Sequence, residues 1–367
     1  VSGGAAHCYV HLPFCASRCG YCAFVVETGG PDRRDAYLRA LLAEIDMRAG
    51  DLGALRTVYL GGGTPSLMGP RRIARLLERL GPHIVPGAEV SMEANPESVD
   101  AAALAAYRAA GVTRLSLGAQ SFGERTLAVL GRRATPAQVR AAVAGAREAG
   151  FASVSVDLLF GVPGQTPAEL EADLAAVTAL GVNHVSWYEL ELKPGAALTL
   201  AGDELPGEDA AADAYERVVE GLEAAGHRWY ETANFARPGH ECRHSLAYWS
   251  AADYLGVGVG AVSTLRGERR RNAAGVDRYI AHLAAGRPPA YSVESLDDET
   301  RRRERWMLGL RLDRPLDLGW AGPPDHPDAL RRLEAGGLLR RAGARVALTR
   351  RGRFLQNAVL QELMEYA

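Results

Sequence analysis

The sequence lacks any uninterrupted apolar run of the roughly 20 residues that a membrane-spanning helix needs, so no stable membrane insertion is expected. It also lacks a charge excess. Forty-two Lys and Arg against 44 Asp and Glu leave a net charge of -2, whereas nucleic-acid binding calls for a basic surface. Cysteine is scarce: five in 367 residues, an odd number, with three of them clustered. That argues against a disulfide framework and for a reducing, cytoplasmic setting. The opening Val1-Ser-Gly-Gly-Ala-Ala has no basic stretch followed by an apolar core, so no signal peptide is expected, and the absent Met reads as trimming. No internal repeat beyond strand–helix alternation occurs, and no low-complexity segment. What remains is an ordinary globular composition, 47% hydrophobic and 23% charged, in a chain long enough for more than one domain.

The clustered cysteines lie in His11-Leu-Pro-Phe-Cys15-Ala-Ser-Arg-Cys19-Gly-Tyr-Cys22-Ala-Phe24. A structural zinc wants four closed ligands, usually as two C-x2-C knuckles. Here Phe24 stands where a fourth Cys would fall. A zinc knuckle or buried free thiols are the alternatives, but a cubane iron–sulfur cluster on three thiolates fits better. Four-cysteine ligation is the rule for electron carriers, so three leave one iron open to a small molecule. Phe14, Tyr21 and Phe24 are expected to wall the cluster from water.

Short β-rich runs then alternate with Ala/Leu/Arg helices. Strands are predicted at Cys8–Leu12, Arg56–Leu60, Glu89–Glu93, Arg114–Leu117, Ser153–Leu158 and His184–Glu189. Helices are predicted near Arg33–Arg48, Arg71–Leu80, Ser98–Ala110, Thr135–Ala149, Pro167–Leu180 and Asp209–Ala225. Thr135-Pro136 and Thr166-Pro167 read as N-caps with Pro at the first helical position. Gly111, Gly150 and Gly181 fall just past helix ends, where a left-handed residue is wanted. Such alternation predicts an α/β fold with a parallel sheet, and ligands at the C-terminal strand ends. By itself it allows a doubly wound sheet as well as a barrel.

The cysteine spacing, with an aromatic before the third Cys, resembles the radical S-adenosylmethionine (SAM) superfamily. The companion motifs extend the resemblance. Gly61-Gly62-Gly63-Thr64-Pro65, which alone could be a tight turn, is similar to the GGGTP element that binds the SAM amino group. Glu93-Ala94-Asn95-Pro96, Ser116-Leu117-Gly118-Ala119-Gln120-Ser121-Phe122 and Asp157-Leu158-Leu159-Phe160-Gly161-Val162-Pro163-Gly164-Gln165 resemble motifs of the coproporphyrinogen-oxidase-like branch. The resemblance implies a partial (β/α)6 barrel and a [4Fe-4S] cluster on Cys15, Cys19 and Cys22. It implies SAM contacts at Tyr9, Tyr21, Gly62, Gly63, Thr64, Glu93, Gln120, Arg132 and Asp157. A small reductant protein is implied as electron donor. For Asp157 a helix or turn cap is the other reading.

After the sixth strand, Glu189 to Gly195 reads as an exit and Gly202–Glu208 as a surface loop. Tyr230-Glu231-Thr-Ala-Asn234-Phe235-Ala-Arg-Pro-Gly-His240-Glu-Cys242-Arg-His244-Ser245-Leu-Ala-Tyr248-Trp249 resembles YEISNFARPGHECRHNLNYW of the heme-chaperone branch. That branch links its H-N-x-x-Y-W element to heme binding, which implies His244, Tyr248 and Trp249 as heme contacts. His is a common axial heme ligand, and the rings offer stacking surface. Alone, the cluster reads more readily as a packed surface turn, and Cys242 as a metal ligand or an inert thiol. Tyr254–Ser263 resembles the YLGxGxGAHS loop, without the context of a dinucleotide fingerprint. Arg269-Arg270-Arg271-Asn272 is expected to be a solvated basic turn, with a propionate contact as the other reading. The tail, with Met307-Leu308-Gly309-Leu310-Arg311-Leu312, reads as a small winged-helix-like C-terminal domain, more a lid or docking unit than a DNA reader.

The expected organisation is a core barrel over residues 1–200, a family-specific extension over 201–297, and the C-terminal domain over 298–367. Subfamily turns on two features. True oxidases resemble C-x3-C-x2-C-x-C with a longer N-terminal segment, whereas here Phe24 replaces the last Cys and Val1–His7 alone precede the first predicted strand. Both favour the heme-chaperone branch: heme bound and passed to an acceptor protein, with respiratory proteins as candidates. Departures at Ala23, Ala134, Ser245 and Val262 gather on the presumed substrate side. They keep open a radical SAM enzyme, a coproporphyrinogen dehydrogenase or one performing methyl transfer or cyclopropanation.

Overall fold

A computed structural model describes residues 3–194, 196–201 and 204–364. Parts of the sequence expectations, Val1–Ser2 ahead of the first strand, Gly195 in the strand exit and Gly202–Asp203 in the following loop, lie outside the described residues. The first two thirds alternate as predicted: β1 (Ala5–Leu12), α1 (Pro31–Met47), β2 (Leu52–Gly62), α2 (Pro70–Leu80), β3 (Ile84–Ala94), α3 (Ala101–Ala109), β4 (Arg114–Gln120), α4 (Glu124–Val129), α5 (Pro136–Glu148), β5 (Ser153–Phe160), α6 (Pro167–Leu180) and β6 (His184–Glu189). Thr135 and Thr166 close full capping boxes with Gln138 and Glu169. Gly111, Gly150 and Gly181 all take positive φ. β1 to β6 pair in parallel in chain order, which places every C-terminal strand end on one side.

The chain continues through α7 (Ala197–Ala201), α8 (Glu208–Ala224), β7 (Arg228–Glu231), β8 (Asn234–Ala236), α9 (Arg243–Trp249), β9 (Leu255–Val257), β10 (Val262–Leu265), β11 (Glu268–Asn272), α10 (Val276–Ala284) and β12 (Tyr291–Ser295). These elements enlarge the sheet. β8 joins β6 antiparallel and carries β7, while β9 joins β1 in parallel, giving nine strands in the order β7-β8-β6-β5-β4-β3-β2-β1-β9. The ends stay unpaired with each other among the described residues, so the barrel is partial. Two sequence readings change here. Tyr254–Ser263, read as a loop, supplies β9 and the start of β10. Arg269–Asn272, read as a basic turn, is strand β11, where two consecutive arginines find partners: Arg270 stacks 3.3 Å above the Tyr291 ring, and Arg269 pairs with Glu294 and Glu304. Glu44 locks this region to α1. Its buried carboxylate accepts from Gly258 N, Asn272 Nδ2 and Tyr279 Oη.

The last part is α11 (Asp298–Gly309), β13 (Leu316–Asp317), α12 (Leu318–Ala321), α13 (Pro327–Ala335), β14 (Leu339–Ala342), β15 (Arg345–Leu348), α14 (Arg350–Phe354) and α15 (Gln356–Leu363). Its helix–hairpin–helix order around a three-stranded sheet is winged-helix-like. Trp306, Leu333, Val346, Val359 and Leu363 head a hydrophobic cluster separate from the main core, which lies between the large sheet and its helices. No described helix is long and apolar enough to cross a membrane.

Candidate cofactor site at the strand ends

The loop after β1 carries the cysteines, and the loop after β2 clamps it. Gly63 N donates to Leu12 O and Thr64 N to Phe14 O. Glycine is required for this approach. A Cβ on Gly63 would lie 2.8 Å from the Pro13 and Phe14 backbone, and one on Gly62, at φ +118°, would lie 2.7 Å from the His11 ring. The glycine run therefore seats one loop against another, a packing task that the sequence reading did not assign to it.

A cavity of about 390 Å³ opens at these strand ends. Cys15, Cys19, Cys22, Tyr21, Gly62, Gly63, Thr64, Glu93, Gln120, Arg132 and Asp157 all line it, so eleven of the twelve residues expected at the cluster and SAM are brought together. Tyr9 is the exception. Its ring stacks on Tyr59, 6.2 Å between centroids, and its hydroxyl meets His11 Nδ1, so it supports the wall from behind. The expected aromatic screen is also only partial. Phe14 is buried edge-on to Tyr37, whereas Phe24 is 69% exposed at the cavity mouth, where no element packs over it.

The thiols have polar support. Thr64 Oγ1 donates to Cys15 Sγ and Arg132 Nη1 to Cys19 Sγ, each at 3.6 Å. Arg132 is itself fixed by Gly118 O and Asn95 Oδ1, and Asn95 donates on to Thr64. Burial pushes the Cys15 and Cys22 thiols up, which a ligating metal overrides by deprotonating them. Among the described residues no three Cys, His, Asp or Glu side chains gather as for one metal ion. A cubane makes no such demand, because each thiolate meets a different iron. With three soft donors, hydrogen-bond donors aimed at sulfur and the buried Arg132 Nε left without a partner, the residues fit a [4Fe-4S] cluster better than zinc.

The opposite wall is acidic. Glu93 accepts from Tyr59 Oη at 2.9 Å and Gly62 N at 3.1 Å, yet burial, reinforced by Asp157, pushes its carboxyl up to about 7. Asp157, also raised by burial, accepts from Ser116 and Ser155, with Ser186 beside it. Gln120 holds φ +70°, a strained conformation for a residue with a side chain, at the end of β4. Its loop is pinned by Asp173 of α6, which accepts from Ser121 Oγ and Phe122 N. Tyr59, Asn95, Asp173, the serines around Asp157 and Arg114 on the deep wall were not singled out from sequence. Strand register is the signal that finds the serines: Ser116 faces Ser155, and Asp157 faces Ser186, across neighbouring strands.

The residues expected to touch heme divide. His244 is 2% exposed and lines neither this cavity nor the one below. It is sandwiched between Tyr59 (5.2 Å) and Tyr248 (4.6 Å), with Nδ1 against Thr57 Oγ1 and Nε2 unpartnered among the described residues. As arranged, Tyr59 stacks on the imidazole and Tyr248 meets it edge-on. Tyr248 and Trp249 line a second cavity. Cys242 is a buried thiol directed at Glu89, on the wall of the first cavity.

A parallel strand sheet with three cysteines and a glycine-seated loop at its C-terminal ends defines a radical SAM protein. The radical SAM superfamily matches residues 9–177. The chain is 42% identical to the heme chaperone HemW of Mycobacterium tuberculosis, over 97% of this chain and 94% of that one. It is 33% identical to the heme chaperone HemW of Bacillus subtilis, over 96% and 97%. The fold is shared with coproporphyrinogen III oxidase (HemN) of Escherichia coli, at a TM-score of 0.87 and 24% identity, covering 99% of this chain and 90% of that one. The chain belongs to the HemW family of the radical SAM superfamily. Its cofactors are accordingly a [4Fe-4S] cluster and SAM.

Proposed function

We propose that this chain binds heme and hands it to an acceptor protein. The observation that carries the reading is whole-length agreement with proteins named heme chaperone, running through the Tyr230–Trp249 segment that forms β7, β8 and α9. Phe24 adds support, since an exposed ring stands where the oxidases' further cysteine is expected. Respiratory proteins are candidate acceptors, the cytoplasm the setting, and a small reductant protein the electron donor.

When bound, the cluster and SAM supply one-electron reductive chemistry. The chain's part is positional. Cys15, Cys19 and Cys22 would hold the cluster, with Thr64 and Arg132 donating hydrogen bonds to two of the sulfurs. Glu93 and Asp157 offer carboxylates to polar groups of SAM, and Gln120 is held in place by the Asp173-pinned loop. The test is heme titration of anaerobically purified, cluster-reconstituted protein, followed by transfer to an apo-acceptor. A stoichiometric Soret shift is expected. No heme uptake, together with rapid SAM cleavage on a small substrate, would replace this reading with the enzyme one.

A further inference from the structure

A larger cavity, about 590 Å³, lies between α9, the β10–β11 hairpin and α11, and shares no lining residue with the cysteine site. Its size is within the roughly 300–1,000 Å³ typical of small-molecule sites. α9 is the common wall of the two cavities. Cys242, its N-cap, and Ser245 line the first, while Tyr248 and Trp249 at its other end line the second. Tyr254 adds a third ring, 4.5 Å from Tyr248, and Leu296, Met307 and Leu308 make the facing wall apolar.

Three arginines, Arg269, Arg301 and Arg305, line this cavity with two carboxylates, Asp253 and Glu304, and the Asp253 carboxylate accepts from Arg266 N. Arg269 is paired with Glu294 and Glu304. Arg301 and Arg305 also face the cavity, and among the described residues neither forms an ion pair. Arg301 donates Nε to Leu296 O at 3.1 Å, and a Cβ on Gly267 would strike its Nη2, so that glycine makes room for the guanidinium. Arg305 donates to Trp320 O at 3.0 Å. The two stand four residues apart on α11, hence on one face and about 6 Å apart along the axis. Both keep donor capacity for an anion, and guanidinium is the group suited to carboxylates.

The geometry points to this second cavity as the seat of a flat, largely apolar dicarboxylate of the heme class. Its macrocycle stacks on the Tyr248, Trp249 and Tyr254 side, and its two acid arms meet Arg301 and Arg305. This rests on the heme-carrier reading and adds a location, a charge requirement and residues outside the Tyr230–Trp249 segment. Tyr248, Tyr254 and Met307 are the nearby donors that iron could meet.

Hemin and hemin dimethyl ester are titrated into the full-length, cluster-reconstituted protein and into two variants, R301A/R305A and L308W. The second variant fills the cavity without touching either guanidinium. Thermal melting and cluster absorbance report folding, and R301Q/R305Q replaces the alanine pair if that pair is unstable. Loss of the arginines is expected to weaken hemin binding at least tenfold, and the ester to bind the unaltered protein as weakly as hemin binds the variant. L308W is expected to abolish uptake while keeping its cluster. Wild-type hemin affinity in both folded variants would overturn the location and leave the carrier reading standing. No hemin uptake by the unaltered protein would overturn both.

Discussion

The cavity at the strand ends is walled by short polar side chains on rigid backbone, and the cavity beside α9 by rings and long arginines on helices and a hairpin. In the first, each carboxylate has several fixed donors: Tyr59 and Gly62 on Glu93, Ser116 and Ser155 on Asp157. Such an arrangement fails if a strand slips or a glycine gains a Cβ, so particular residue types must stand at particular places. In the second, flexible arginine stems and interchangeable apolar contacts do the same work with far less demand on residue identity. A site built on backbone constraint writes motifs, and a site built on surface character does not.

The largest expected effect separates the two cavities outright. Cys19→Ser should reduce cluster loading, measured as iron and acid-labile sulfide, to a small fraction. Hemin affinity should stay within about twofold, the tolerance for sites without shared partners. Joint loss of cluster and hemin would mean that the two cavities are one functional unit. Next is a pair of glycines. Gly63→Ala meets backbone that cannot swing aside, and should cost about 2 kcal/mol in denaturant unfolding and lower cluster loading. Gly267→Ala, at φ +85° and against the mobile end of Arg301, should cost about 1 kcal/mol and leave the cluster untouched.

That contrast explains what the sequence made legible. Six strands, their helices and two Thr-Pro N-caps follow from period, Thr-Pro signals and glycine placement, all local properties. The eleven expected residues that line the first cavity share motifs at strand ends, a local feature, whereas the Tyr9 ring turns to Tyr59. β9 and β11 were missed for a different reason. β9 is a three-residue strand whose partner is β1, nearly 250 residues away, and the arginines of β11 hide a strand whose charges are met by Glu294, Glu304 and Tyr291. His244 was singled out by residue type, which a sequence displays, whereas its burial is set by α9 packing on β2, which a sequence does not display.

Glu93 tests whether the polar wall is tuned as well as placed. Burial raises its carboxyl to about 7, so in the folded protein it is largely protonated below that pH and carries the full negative charge of a carboxylate only above it. SAM affinity, measured by equilibrium binding, should therefore rise about tenfold from pH 6 to pH 8. Glu93→Gln should flatten that rise and bind at pH 8 about as weakly as the unaltered protein does at pH 6. Hemin binding in the second cavity should show no such dependence on Glu93.

The smallest effect concerns His244, which stands between the cavities and belongs to neither. Burial, with His7 beside it, pushes its imidazole down to about 3, so it stays neutral in the folded protein. Its ordinary value is 6.5, so below that pH the unfolded chain takes up a proton that the folded chain refuses. Stability is thus full above pH 6.5 and drains as pH falls toward 3. Between pH 7.5 and 5.5 this amounts to about 1 kcal/mol, and His244→Phe should remove that increment from the pH profile of urea unfolding. The same variant keeps a ring between Tyr59 and Tyr248, so the wall of the heme seat persists and the Soret maximum of the hemin complex should not move. A moved maximum would mean that α9 swings out to put the imidazole on iron, and that the cavity beside it is only the entrance.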